Sequence, residues 1–193
     1  MAVAPRITLH SILGKFGGSN AHKKGPRPVW RSSDDFWPDI PVTNPWHVYQ
    51  NAMAGMVLGS FSGEVVLDWD MFQSAHPFAQ YHALARAISG GPVYISDVPG
   101  KHNPKILKPL YFSQTGRVLR FHQNARISHD TLFAQVTKGG SASALVKITN
   151  VGTEGRGEGV GVVAAFGCQG DESVVSGTVG VEDVVGLEGK EGE

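Results

Sequence analysis

The feature that most constrains the fold is the alternation of short apolar segments with helical patterns in the first half of the chain. The apolar segments are Val29–Arg31, Val65–Leu67 and Pro92–Ser96. The helical patterns begin at Asn44–Pro45 and His76–Pro77, where a capping residue or a proline is typical of a helix start. Strands that alternate with helices at a period of about 30 residues predict βα units of a parallel sheet.

After Gly116 the chain changes to short apolar runs separated by glycine, serine and asparagine. Such runs are typical of an antiparallel sandwich or open barrel. We therefore predict an α/β part over residues 1–115 and an all-β part over residues 116–193. The last residues, Leu187–Glu193, have little to bury and are predicted to be frayed. The predicted strands of the second part are Val118–Phe121, Leu132–Val136, Leu145–Ile148, Val160–Phe166 and Val174–Val181.

Charge balance and cysteine content bear on the expected partners and on the expected compartment. Lysine and arginine together number 17, as do aspartate and glutamate. This balance gives no electrostatic reason to expect nucleic acid or a membrane as partner. The single cysteine, Cys168, excludes an internal disulfide and fits a reducing compartment. Because the sequence also shows no signal-peptide pattern, we predict a cytoplasmic location.

Acidic residues follow each predicted strand. Asp34 and Asp35 come after the first strand, Asp68 and Asp70 after the second, and Asp97 after the third. Active sites of parallel α/β sheets and barrels form outside the carboxyl ends of the strands. We therefore expect these carboxylates to converge on one pocket although they are far apart in the sequence.

A pocket with several acids, an arginine and tryptophans suits a sugar. Carboxylates accept hydrogen bonds from hydroxyl groups, and indole rings cover the apolar face of a pyranose. Pairs of carboxylates also cleave glycosidic bonds. Magnesium-dependent phosphate chemistry uses clustered aspartates as well. The absence of a Gly-Lys-Ser/Thr phosphate loop makes that alternative the less favoured one.

Individual residues near these acids have competing interpretations. Trp37 is a candidate sugar platform, whereas Trp69 is expected to pack in the core. Asp97 is either a pocket residue or part of a turn. The nearby histidines show no metal-ligand spacing, and we predict neither a metal nor a cofactor. These histidines are His76, His82 and His102.

The strand-end acids lie in three long motifs, Trp30–Pro38, Asp68–Pro77 and Ile88–His102. Together these motifs resemble glycoside hydrolase family 36, in the branch of raffinose synthases, seed imbibition proteins and alkaline α-galactosidases. The later segments Phe166–Gly170 and Ser176–Val179 are similar to parts of the C-terminal β-domain of that branch. The resemblance covers nearly the whole chain.

The resemblance implies roles for the residues that match. Asp35, four residues after Arg31, corresponds to the general acid/base of the family, and Arg31 corresponds to a residue of the sugar pocket. Asp70 and Met71 match a sugar-contacting pair. Three neighbours are further substrate-binding candidates: Asp34, Trp37 and Asp68.

The resemblance further implies a retaining mechanism on α-galactosyl oligosaccharides, with raffinose, galactinol or the acceptor sucrose as substrates. The fold it implies is a partial (β/α)8 TIM barrel, with about three of its eight strands, followed by a truncated β-sandwich-like domain. The family's nucleophile is the aspartate of a Lys-x-Asp motif, and no such motif occurs before Arg31. We therefore expect the chain alone to be inactive. Hydrolase and transferase both remain open, and the alternative is a non-catalytic remnant with residual sugar binding.

Overall fold

The computed structural model describes residues 7–14, 27–58, 65–121, 123–138, 144–153, 159–169 and 174–184. An α/β part is followed by an antiparallel sheet, as the order of the sequence patterns predicts, except that one strand of this sheet, at residues 7–14, precedes the α/β part. In the α/β part the elements are β2 (Val29–Arg31), α1 (Thr43–Leu58), β3 (Val66–Asp68), α2 (Ala79–Ser89) and α3 (Pro104–Leu107). In the sheet they are β1 (Ile7–Gly14), β4 (Arg126–Ile127), β5 (Val146–Thr153) and β6 (Gly159–Phe166).

The two long helices lie where their patterns predict them. Thr43 begins α1 and donates from Oγ1 to the Ile40 carbonyl at 2.7 Å. Gly90 ends α2 in the left-handed conformation with φ of 77°, which a residue without Cβ adopts at low cost. Gly59, the predicted end of α1, lies outside the described residues. Among the described residues, no helix is long and apolar enough to cross a membrane.

The predicted parallel pairing of the first two strands is confirmed. The prediction of a third strand at Pro92–Ser96 is wrong. β2 and β3 pair in parallel. Pro92–Ser96 contributes one parallel bridge, in which Ile95 lies opposite Phe72. The Phe72 N–H donates to the Tyr94 carbonyl and the Ser96 N–H donates to the Phe72 carbonyl.

The antiparallel sheet has the order β1-β6-β5-β4. Its two long strands, β5 and β6, confirm the predictions at 145–148 and 160–166. The predicted strands at 118–121, 132–136 and 174–181 are wrong, apart from one bridge from Val118 to Tyr111. Some of their apolar side chains lie in solvent, with Phe133 93% and Val174 81% exposed, whereas Val136 is buried in the main core. The exposed side chains of Phe133 and Val174 bury little surface that would favour strand pairing.

The N-terminal strand β1 pairs with β6 along its full length, from Ile7 opposite Phe166 to Gly14 opposite Gly159. The predicted division assigns β1 to the α/β part, and the division as a whole stays a prediction. The largest hydrophobic cluster likewise includes residues from both sides of position 115, among them Leu67, Trp69 and Ile148.

The helix α1 packs closely on the segment that leads into β4. A Cβ atom on Gly55 would lie 1.9 Å from the Ala125 carbonyl oxygen. Only glycine therefore allows this approach, which places Val48 and Ala52 of the same helix in the core. The contact fixes the end of α1 to the antiparallel sheet.

Lys147 on β5 is a buried cation that joins three segments of the C-terminal half. Its Nζ lies 2.6 Å from Asp130 Oδ2, contacts the buried carboxylate of Asp183 and donates to the Thr178 carbonyl at 3.2 Å. Burial acts to lower the pKa of Lys147, but hydrogen bonds to Asp130 and Asp183 outweigh it and raise the pKa. Burial acts to raise the pKa of Asp130, and its hydrogen bond with Lys147 leads the contacts that lower it instead.

We predict that Lys147→Met lowers the free energy of unfolding by about 3 kcal/mol, because it leaves the Asp183 carboxylate buried and unpaired. Because the pKa of Lys147 is raised, the stabilisation that its charge contributes is fully present below pH 10.5 and is lost as pH rises further. The lowered pKa of Asp130 means that its contribution is present above pH 3.8 and is lost in stronger acid. Denaturant unfolding at several pH values measures both effects, with the exposed Lys138→Met as control. Equal losses for the two variants would contradict the prediction.

Candidate active site

The carboxyl ends of β2 and β3 bring Arg31 together with the predicted acids. The parallel register places Arg31 beside Asp68. The bridge between Phe72 and Ile95 adds Tyr94 to the same edge. We call the resulting group the strand-end cluster, which consists of Arg31, Asp35, Asp68, Asp70 and Tyr94.

Arg31 is the centre of the strand-end cluster. Its Nη1 lies 2.9 Å from Asp70 Oδ2 and 3.4 Å from Asp35 Oδ1. Its Nε lies 3.4 Å from Asp68 Oδ2, and its Nη2 lies 3.5 Å from the Tyr94 hydroxyl. Burial acts to lower the pKa of Arg31, but the surrounding charges, that of Asp70 first, outweigh burial and raise it. One cation therefore organises three carboxylates.

Asp70 is a buried acceptor that joins the two strand-end loops. Its side chain is 2% exposed, and its Oδ2 accepts from the Phe36 N–H at 2.8 Å. Its Oδ1 accepts from the Met71 N–H at 2.7 Å, and its own N–H donates to Asp68 Oδ1 at 2.9 Å. Its φ of 65° is rare for a residue other than glycine. This backbone conformation turns the carboxylate toward Arg31.

Asp35 differs from the other two acids because it is open to solvent. Its side chain is 80% exposed, and its single contact within the described residues is the long one to Arg31. Asp68 is 14% exposed and accepts from Tyr94 at 2.8 Å. Asp34 is exposed, and no described contact joins it to the strand-end cluster. Of the clustered carboxylates, Asp35 is the one that a bound molecule can reach freely.

Known sequences resemble this chain over most of its length. The profile of the family described as raffinose synthase or seed imbibition protein Sip1 matches residues 23–176. The chain belongs to this family. It is 44% identical over 142 residues to probable galactinol–sucrose galactosyltransferase 6 of Arabidopsis thaliana, which covers 74% of the chain and 18% of the relative.

Two pea proteins are similar as well. Galactinol–sucrose galactosyltransferase of Pisum sativum is 39% identical over 148 residues, covering 72% of the chain and 17% of the relative. Stachyose synthase of Pisum sativum is 34% identical over 145 residues, covering 72% of the chain and 16% of the relative. The chain spans less than a fifth of the length of the curated relatives it matches. The predicted resemblance to the raffinose synthase branch is confirmed.

The sequence predictions for this family member missed Tyr94. Its hydroxyl donates to Asp68 Oδ2 at 2.8 Å and lies 3.4 Å from Asp70 Oδ1. Burial and the hydrogen bond to Asp68 raise the pKa of Tyr94 to about 12. Val93 and Ile95 pack against a second hydrophobic cluster, so the two-residue period of extended chain directs Tyr94 to the opposite side. That alternation was the signal available in the sequence.

Asp97 forms a separate loop network instead of joining the strand-end cluster. It accepts from the Ser74 N–H at 2.7 Å and from Ser74 Oγ at 2.6 Å, and its Oδ2 lies 3.2 Å from His102 Nδ1. Burial acts to raise the pKa of Asp97, but the hydrogen bonds from Ser74 and His102 outweigh burial and lower it. These contacts fit the turn-forming alternative.

The aromatic and methionine candidates lie in different environments. Trp69 is fully buried in the main core, as its position predicts. Trp37 is 56% exposed, which leaves its indole face accessible, and its role as a sugar platform stays a prediction. Met71 is half-buried and its side-chain role also stays a prediction. In the part of the chain that the structure describes, no three His, Cys, Asp or Glu residues form a possible metal site.

We predict that Tyr94→Phe lowers the free energy of unfolding by about 1 kcal/mol, because Asp68 loses a hydrogen-bond donor. The pKa of about 12 lies above the ordinary value of 10.0. The difference in the free energy of unfolding between wild type and variant is therefore constant below pH 10 and narrows as pH rises toward 12. Thermal unfolding across this range measures it. Tyr49→Phe, at a ring that packs on Trp46, is the matched control, and an equal loss there would refute the role of the hydroxyl.

Proposed function

We propose that the chain supplies the acid/base and much of the sugar pocket of a retaining galactosyl-transfer site. Asp35 is the proposed general acid/base, and Arg31, Asp68 and Asp70 are the proposed sugar-binding groups. The observation that carries this proposal is the convergence of these side chains at the strand ends, in a chain of the raffinose synthase family. Asp34, Met71 and Trp37 are proposed to line the same pocket.

The chemistry follows from the accessibility of Asp35. In its acid form Asp35 protonates the oxygen that leaves the galactosyl group. As a carboxylate it then takes the proton of the acceptor, either a sucrose hydroxyl or water, which attacks the covalent galactosyl intermediate. Arg31 contacts Asp35 and pairs with the neighbouring carboxylates of Asp68 and Asp70, which fixes the positions of these groups in the proposed pocket. The names of the relatives support galactinol as donor and sucrose as acceptor.

The nucleophile is proposed to come from outside the described residues. A retaining enzyme needs a second free carboxylate about 5–5.5 Å from the acid/base. Asp70 already accepts two backbone N–H groups and pairs with Arg31. Asp68 is bound by Tyr94, by Arg31 and by the Asp70 N–H. Neither acid has a free, exposed oxygen suited to attack a sugar carbon.

The barrel is proposed on the geometry of β2. All three of its residues are exposed, and within the described residues it pairs with β3 alone. Val29 and Trp30 are each 54% exposed, so the edge is apolar as well as open. Further parallel strands could add there and bring another carboxylate to the strand-end cluster. We propose that β2, β3 and the segment at Ile95 are consecutive strands of a (β/α)8 barrel.

A non-catalytic protein with residual sugar binding is the second candidate. The observation that favours it is that the cluster has one free carboxylate, whereas retaining cleavage needs two. The purified 193-residue chain is then expected to release no product from a chromogenic α-galactoside. Turnover by the chain that Asp35→Asn abolishes would contradict this expectation.

The catalytic role of Asp35 is testable in a longer relative. The segment of pea galactinol–sucrose galactosyltransferase that aligns with this chain is replaced by the matching residues of this chain. We predict that the chimera transfers galactose from galactinol to sucrose, and that Asp35→Asn lowers its kcat about a hundredfold or more. Asp39→Asn, at an exposed acid of the same loop, leaves kcat unchanged. A folded chimera without transfer, or equal effects of the two substitutions, would refute the proposal.

A further inference from the structure

Arg86 on α2 is a fully buried cation directly behind the strand-end cluster. Its Nε donates to the Asp70 carbonyl at 3.2 Å, and its Nη2 donates to the Met71 carbonyl at 3.0 Å. Its Nη1 lies 2.7 Å from His82 Nδ1. Among the described residues, no carboxylate forms an ion pair with it. Burial of a cation under these conditions is costly, and the hydrogen bonds to two carbonyls and the contact with His82 offset that cost.

The planar guanidinium matches the unusual backbone of Asp70. Asp70 has a left-handed φ, and one side chain, that of Arg86, donates to the carbonyls of both residue 70 and residue 71. A planar fork of fixed N–H directions satisfies both carbonyls and His82 Nδ1 in one defined geometry, which a compact ammonium on a flexible stem does not reproduce and an apolar chain cannot supply. Arg86 therefore stabilises a conformation that L-residues seldom adopt.

Contacts of Asp70 and His82 link the backbone that Arg86 stabilises to the loop that contains Asp35. On the side facing the cluster, the Asp70 carboxylate accepts from the Phe36 N–H, and Phe36 follows Asp35 in the chain. The Phe36 ring packs edge-on against the His82 ring, with centroids 4.9 Å apart. His82 in turn contacts Arg86, so Arg86, Asp70, Phe36 and His82 form a closed ring of contacts.

The orientation of Arg86 is itself fixed by His82. Because a guanidinium has donors alone, His82 Nδ1 must accept and Nε2–H must donate, and Asn44 Oδ1 lies 2.7 Å from Nε2. Burial, followed by the charge of Arg86, places the pKa of His82 well below its ordinary value, which keeps the ring neutral. The guanidinium thus has one defined position, anchored to α1 through Asn44.

We propose that Arg86 is a positioning residue for the sugar site. It fixes the Asp70 backbone from behind, and through Asp70 and Phe36 it sets the loop that carries Asp35. Its importance for sugar chemistry rests on the proposed function of Asp35, whereas its control of the loop does not. Arg86 is fully buried, so it acts on the site through the residues that it holds, Asp70 and Met71.

The test compares Arg86→Met and Arg86→Lys with Lys147→Met in the full 193-residue chain. Lys147 is a second buried cation, in the antiparallel sheet away from these contacts, so its variant reports the effect of lost stability alone. Two quantities are measured where each protein is folded: the amide NMR resonance of Phe36 and the Kd for galactose. Arg86→Lys keeps the charge without the fork and remains informative where Arg86→Met does not fold.

Both Arg86 variants are expected to shift the Phe36 resonance and to raise the Kd for galactose about tenfold, whereas Lys147→Met leaves the resonance in place and the Kd within about twofold. An unmoved Phe36 resonance in the Arg86 variants would overturn the proposal. A shifted resonance together with no galactose binding by the wild-type chain would support the control of the loop by Arg86 and count against the proposed function. The two failures are therefore distinguishable.

Discussion

The strand-end cluster depends on the hydrogen bonds and the ion pair that the buried carboxylate of Asp70 makes. This carboxylate joins the end of β2, through Arg31, to the loop after β3, and it holds the Phe36 amide beside Asp35. Because it is buried at 2% exposure, loss of this carboxylate would leave the Phe36 and Met71 amides without their acceptor and would remove the nearest carboxylate from Arg31. The exposed acid is thus oriented by a buried one.

A buried polar network supports the same strand ends from the side of α1. Ser32 Oγ donates to Asn51 Oδ1 at 2.6 Å, and the Asn51 amide donates to the His47 carbonyl at 2.9 Å. His47 Nε2 lies 3.1 Å from the Trp69 carbonyl. Burial, followed by the charge of Arg86, lowers the pKa of His47 to about 4, so the ring is neutral and Nε2–H donates. The network holds the residue after β2 and the residue after β3 to helix α1 without adding charge.

The position of the acids could be predicted from the sequence, because parallel strands end at one edge of a sheet whatever their exact length. The place of Arg86 in the site could not be predicted from the sequence. The role of Arg86 depends on the left-handed turn at Asp70, which no local sequence pattern marks. The sequence patterns overpredicted strands at 132–136 and 174–181 because apolar composition does not show whether a segment pairs with another strand: Val136 is buried in the core outside any strand, whereas Phe133 and Val174 lie in solvent. The pairing of β1 with β6 likewise depends on a partner far along the chain.

The most direct test of a sugar site at these strand ends is an NMR titration of the chain with galactose. The side-chain N–H resonance of Arg31 and the indole N–H resonance of Trp37 are followed, with the fully buried indole of Trp69 as an internal reference. The account predicts that the Arg31 and Trp37 signals shift along one saturable curve while the Trp69 signal stays in place. Unchanged Arg31 and Trp37 signals at saturating galactose would contradict it.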